Sequence, residues 1–244
     1  MKKAILAQKV LASVLAIGLG GFVLPLAAQA NSGLSEDIVR GKFCVGSKGA
    51  DDNVVIIDSD LPDQADGVIG GNAYDGDAKG NIVRISGGEV GDVYGGYVDN
   101  GTVTENRVRI SGGEVGSIYG GYSFNGDAKG NIVRISGGEV GDVYGGNASF
   151  GNATKNEVSI SGGKVTVDVL GGRAFLDATD NRVSISGGTV MGNIYGGYSG
   201  QGNVKDNSIT LSAAADVSQA NLYAVKEVLL LKTTSSLSTA GAVL

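Results

Sequence analysis

A sentence of sixteen residues, NIVRISGGEVGDVYGG, starts at Asn81, returns with three substitutions at Asn106 and in full at Asn131. Matching asparagines stand at Asn53, Asn81, Asn106, Asn131, Asn156, Asn181 and Asn207, and from Asn81 onward the spacing is 25 residues four times and then 26. A fixed period of this length describes stacked supersecondary units and not a core closed once. Inside each unit the pattern Asn-x-Val-x-Ile-Ser is apolar at every second position, the period of a strand with one buried face. Two further apolar positions follow across glycines, as in Val90 and Val93 or Val115 and Ile118. A smaller one closes the unit at Val103, Ala128, Ala153, Ala178 and Val204. No unit shows the three-and-four spacing of a helix face.

These three buried segments per unit predict an all-β chain: a parallel β-helix, or β-solenoid, of about six 25-residue coils. A degenerate first coil opens at Asn53, where residues 67–76 precede the corresponding stretch ending at Gly101 by 25 positions. It reaches 28 residues because 58–64 bulges outward. Counting from Asn53, six coils close at Asp206. At about 4.8 Å per coil the stack stands roughly 29 Å tall before its caps.

The chain has 43 glycines and only two prolines, which suggests disorder until their placement is considered. They recur in register between β-branched residues, which flexible linkers do not do. Nineteen basic residues face 25 acidic ones. Without the first thirty residues, which hold three lysines and no acid, the balance is 16 against 25, or −9. That balance argues against nucleic acid, whose phosphates need a basic face.

Residues 1–30 have the form of an export signal. Lys2 and Lys3 precede an apolar stretch over 11–26, and Ala28-Gln29-Ala30 supplies a small-x-small cleavage site. The cleavage motif and the interrupting glycines favour removal over an uncleaved anchor. Residues 31–52 do not fit the repeat and are expected to cap the first coil, covering its open strand edges. They contain Cys44, the sole cysteine, which has no internal partner for a disulfide. The solenoid itself spans 53–223.

In a stack, equivalent residues lie above one another. The asparagines form one column, suited to a turn in which side-chain amides bond along the stack. Tyr94, Tyr119, Tyr144 and Tyr195 form an aromatic column broken by Leu170, where 165–169 carries one extra residue. Gly-Gly pairs mark corners where φ is positive or backbone crowds backbone. All three columns suit a structural role. Arg84, Arg109 and Arg134 also stack, as do Glu89, Glu114 and Glu139, although like charges one strand apart repel. Copying by repeat duplication accounts for them; a binding stripe reading a charged partner is the sharper alternative, confined to the central coils.

Little in the sequence offers chemistry. It has no histidine and no tryptophan, so no zinc site and no nucleophile-base pair can be assembled. The stretch 87–92 departs from calcium-binding nonapeptides at Val90 and in its period. Asp77, Asp99 and Asp127 lie on loops and are not a clustered acidic set. We expect no catalytic residue, no cofactor and no metal.

The combined motif, N-x-V-x-I-S-G-G-x-V followed by V-Y-G-G-Y and a polar glycine-rich link, resembles the passenger repeats of bacterial autotransporter adhesins over about residues 53–223. The resemblance implies a right-handed parallel β-helix, consistent with the crossover rule, displayed outside a Gram-negative cell with a role in adhesion or aggregation and a host or bacterial surface ligand, protein or glycan, as partner. It also implies a C-terminal outer-membrane β-barrel translocator, which is absent before the sequence ends at Leu244. Residues 224–244 abandon the repeat, and a neighbouring reading frame would restore a glycine after Tyr223, so this tail is expected to be frameshifted or truncated. Two other functions fit the same pattern: a secreted β-helix that binds or cleaves polysaccharide, and a self-associating solenoid of the cell coat. A groove lined by aromatic and acidic residues would favour the first of these, and a flat polar face would count against it.

Overall fold

Alternation in the segment after each asparagine sets the first wall of the molecule. In the strands Val54–Ile57, Ile82–Ile85, Arg107–Ile110, Ile132–Ile135, Glu157–Ile160, Arg182–Ile185 and Ser208–Ser212 every second residue turns inward. Val83 and Ile85, and their equivalents above and below, are fully buried. The computed structural model describes residues 37–38, 43–45, 50–57, 65–223 and 227–231, with backbone alone for 37–38, 43–45, 65–66 and 227–231. Among the described residues every strand pairing is parallel and no helix occurs. The strands form sheets of nine, fifteen and six strands, and the chain passes through all three once per coil. It is a parallel β-solenoid of about six coils.

Register follows the repeat. Arg84 pairs with Arg109 and Arg109 with Arg134, so residues 25 apart in sequence are neighbours in space. The nine-stranded wall packs its valines and isoleucines against Val90, Val93, Val115, Ile118 and their equivalents on the fifteen-stranded sheet. Burying each such side chain is worth about 1.5–3 kcal/mol, and the same layer is repeated in every coil. The six-stranded sheet consists of two-residue strands such as Ala128–Lys129 and closes the narrow side. Small residues, Ala78, Val103 and Ala128, are fully buried behind it.

Two kinds of corner use glycine for different reasons. After each long-wall strand, Gly88, Gly113, Gly138, Gly163 and Gly188 take φ between 81° and 89°, the left-handed region that a side chain resists. Gly95 and Gly96 have no such φ. A Cβ on Gly95 would lie 2.2 Å from the carbonyl oxygen of Gly120, and one on Gly96 would lie 2.7 Å from Asn106 Nδ2. Here glycine is required by close approach.

The asparagine corner is built from both backbone and side chain. The residue before each asparagine has positive φ, whether glycine, as Gly80 and Gly130, or not, as Glu105, Lys155 and Asp180. The asparagine that follows is buried, and its Oδ1 accepts from the asparagine one coil earlier. Asn81 donates both its backbone N–H, at 3.0 Å, and its Nδ2, at 2.8 Å, to Asn106 Oδ1. The same pair of bonds recurs from Asn106 to Asn131, Asn131 to Asn156, Asn156 to Asn181 and Asn181 to Asn207. Each amide therefore satisfies a buried donor that has no strand partner at the turn.

At the ends, the backbone at Asp37–Ile38 pairs with Val55 and Ile56, and that at Phe43–Val45 with Gly67 to Ile69, so both segments continue the parallel stack. Cys44 lies opposite Val68 in that pairing. At the other end Glu227–Leu231 adds a ninth strand to the long wall, in register with Ser208–Ser212. Residues 1–30, read from the sequence as an export signal, residues 58–64, where a bulge is expected, and residues 224–226 and 232–244 of the tail lie outside the described residues.

Candidate functional site

The Gly95-Gly96 bend has an outer side, and tyrosines occupy it. Val93 points in, Tyr94 points out, the two glycines turn the chain, and Tyr97 again points out. The next coil repeats this with Tyr119 and Tyr122. Tyr94 stacks on Tyr119 with ring centres 4.7 Å apart and planes 4° from parallel, and Tyr119 stacks on Tyr144 at 4.9 Å and 5°. Tyr97 stacks on Tyr122 at 5.1 Å. The two stacks meet almost perpendicular: Tyr94 and Tyr97 stand 5.5 Å apart at 88°, and Tyr119 and Tyr122 5.9 Å apart at 84°. Five half-buried rings thus form two walls of one corner, fixed by backbone register and by offset and edge-to-face contacts.

Acidic residues rim both walls. Asp92 Oδ2 lies 3.5 Å from the Tyr94 hydroxyl and Asp99 Oδ1 3.5 Å from that of Tyr97. Burial first, and these carboxylates second, push the phenol pKa of Tyr94 and Tyr97 above the ordinary value. Tyr119 is raised by burial and then by Asp92, and Tyr144 is pushed up to about 12 by burial and then by Asp142. Tyr94, Tyr97, Tyr119 and Tyr144 therefore stay neutral at any physiological pH. They are suited to aromatic stacking and hydroxyl hydrogen bonding, not to acid-base chemistry.

Below Tyr144 the corner changes character. Leu170 replaces tyrosine in the first column and Tyr195 and Tyr223 resume it, stacked at 4.6 Å. The second column runs Tyr97, Tyr122, Asn147, Arg173 and Tyr198. Asn147 is buried, and its Oδ1 has no hydrogen-bond partner among the described residues. The second column was not singled out in the sequence, although its signal was present: tyrosine after Gly-Gly at 97, 122 and 198. A third aromatic set, Phe124, Phe150 and Phe175, follows on the adjoining loops.

The charged columns take two separate places. Arg84, Arg109 and Arg134 face outward on the nine-stranded wall, succeeded by Ser159, Ser184 and Thr210. A concave region of about 460 Å³ runs along them, bordered by Ser86, Ser111 and Ser136. Glu89, Glu114 and Glu139 face outward across the serine-glycine turn, succeeded by Lys164. Lys164 pairs with Glu139 at 3.1 Å, and Arg134 lies 3.7 Å from Glu157. The loop acids serve the backbone: Asp77 accepts from the Thr102 N–H at 2.7 Å and Asp127 from that of Asn152 at 2.8 Å. Among the described residues no three acidic or cysteine side chains come together as metal ligands.

Neither a protein-family description, nor a curated protein, nor a solved structure matches this chain.

Proposed function

We propose that this chain is an exported, cell-surface β-solenoid, the passenger part of an autotransporter-like adhesin, that acts by contact and not by catalysis. The tyrosine corner carries the reading. Stacked rings lose little side-chain freedom when a partner covers them, and tyrosine is the residue that most often anchors such contacts. The repeat motif and the six-coil stack support the assignment to a passenger domain. The partner is a protein or glycan on a host or neighbouring bacterial surface.

The test is display of the chain on a non-adherent bacterium, comparing it with a Tyr119→Ala/Tyr122→Ala variant. Adherence to cultured cells and to immobilised glycans should fall at least tenfold, with the β-sheet circular dichroism unchanged. Equal adherence by the variant would overturn the reading. Cells that clump only with one another would assign self-association in the cell coat instead.

The acidic rim of the same corner favours a second reading, a secreted polysaccharide-binding or polysaccharide-cleaving β-helix. Asp92, Asp99 and Asp142 lie beside the rings, the mixture a sugar-binding groove uses. Binding to polysaccharide columns with release of new chain ends would establish cleavage. Retention without release would leave binding alone.

A further inference from the structure

The chain is acidic overall at −6, yet one of its walls is basic. On the strands from Val54 to Ser212 of the nine-stranded sheet the charged residues are Arg84, Arg107, Arg109, Arg134, Arg182 and Glu157, five against one, a net of +4. All six point outward. The glutamate and aspartate columns lie on the other side of the turn, on the fifteen-stranded sheet. Net charge hides this separation, and each field acts locally because salt screens beyond about 10 Å.

We propose that this wall binds a linear polyuronate, a polysaccharide with a carboxylate on each sugar unit, laid along the stack across Arg84, Arg109 and Arg134. This goes beyond the adhesive reading and uses a different face. Spacing is the first argument. In-register coils place successive arginines one strand spacing apart, about 4.8 Å, close to the length of one extended pyranose unit, so a chain laid along the stack runs in step with the coils and the carboxylates that its linkages turn toward the wall fall at whole numbers of coils. Geometry is the second. A guanidinium grips a carboxylate through two parallel hydrogen bonds, which a lysine column could not do. Shape is the third. The arginines border a concave region of about 460 Å³, whose edge of Ser86, Ser111 and Ser136 hydroxyls can meet sugar hydroxyls. Arg134 and Glu157 are only loosely paired at 3.7 Å and are partly exposed, so an incoming carboxylate displaces little.

Nucleic acid fits this wall less well. Among the described residues its outward positions hold no aromatic side chain on which bases could stack. Duplex DNA also concentrates one charge per about 1.7 Å, several times the density of the ladder, and would face the acidic remainder of the chain.

The experiment measures binding of the purified chain to polygalacturonate, with dextran sulfate, a neutral glucan and duplex DNA as comparisons, over a range of salt. We expect polygalacturonate to bind more tightly than the other three and to weaken as salt rises. The R109S/R134S variant, which copies the serines already present at 159 and 184 and so keeps the fold, should bind at least tenfold more weakly. R109K/R134K should fall between them. Tyr119→Ala should bind polygalacturonate as the parent does, which separates this site from the tyrosine corner. No binding at low salt, unchanged binding by R109S/R134S, or tighter binding of DNA or dextran sulfate would each overturn the proposal.

Discussion

On either side of the Gly95-Gly96 bend stand two ladders with the same period that obey opposite rules. The inner one is asparagine at all seven positions from Asn53 to Asn207, every one buried. The outer one runs Ile69, Tyr94, Tyr119, Tyr144, Leu170, Tyr195 and Tyr223. An inner asparagine such as Asn131 receives two hydrogen bonds from Asn106, gives two to Asn156, one from its backbone and one from its side chain, and gives another to the Val103 carbonyl, so any substitute orphans several buried groups. An outer tyrosine needs only a neighbour to cover its face. Leu170 provides that, and the coil persists. The inner ladder holds register, and the outer ladders are the part of the molecule free to acquire a partner.

Mutation can break that contrast. Asn131 accepts from the backbone and side chain of Asn106 at 3.1 and 3.0 Å and donates to the Val103 carbonyl at 3.1 Å. Asn131→Ala should cost about 3–5 kcal/mol by chemical denaturation. Tyr119→Ala should cost about 1 kcal/mol. A tyrosine loss equal to the asparagine loss would remove the distinction between register-holding and surface ladders.

Glycines sharpen it next. Gly96→Ala places Cβ 2.7 Å from Asn106 Nδ2 and 3.2 Å from Ala78 Cβ, forcing the ladder itself to move at a cost of about 2–3 kcal/mol. Gly130→Ala meets nothing within 4 Å and differs only in its φ of 65°, at a cost of about 1 kcal/mol. Thermal unfolding of the pair separates crowding from backbone strain. If Gly130→Ala is the worse of the two, crowding against the asparagines is not what selects Gly96.

Of the two ladders, alkaline pH acts on the outer one, because an asparagine amide does not titrate. An unfolded tyrosine ionises near about 10, whereas Tyr144 in the stack is raised to about 12 by burial and then by Asp142. Above pH 10 the unfolded chain releases phenolic protons that the folded chain retains, so stability falls as pH rises from about 10 to about 12. Below pH 10 this contribution is fully present. The phenolate absorbance contributed by Tyr94, Tyr119 and Tyr144 should therefore lag behind that of free tyrosine and appear together with unfolding. Ordinary titration of these three in the folded state, read as the absorbance lost in their Phe variants, would contradict the buried stack.

How much of this was visible beforehand depended on whether a residue's role is set by its own coil. The parallel solenoid, the asparagine column and the Tyr94 column follow from period alone, because stacking is repetition. The positive φ at Glu105 and Lys155 did not follow, since neither residue favours that conformation and only its place before the asparagine imposes it. The second tyrosine column stayed hidden because alternation fails across Gly95-Gly96: both glycines face inward, and only the bend returns Tyr97 to the outside. The basic wall was legible only in part: the column of Arg84, Arg109 and Arg134 shows in the repeat, but the full extent of the wall does not. Arg107 and Arg182 share a column with Ile82, Ile132 and Glu157, so no single repeat position announces it, and a summed charge averages it away.

The smallest expected effect tests the charged ladders, where central and later coils also differ. Glu89, Glu114 and Glu139 stack like charges, and Lys164 ends the run by pairing with Glu139 at 3.1 Å, both side chains about half exposed. Lys164→Glu would extend the acidic column by one coil. At low ionic strength it should cost about 0.5–1 kcal/mol, the lost pair plus one new repulsion. In high salt most of that cost should vanish, because exposed charges are screened over a few ångströms at molar ionic strength. The comparison of the two denaturation midpoints distinguishes electrostatics from packing: a loss that survives salt belongs to the lysine stem lying along the sheet. No loss at either salt would mean that like-charge columns cost this fold nothing.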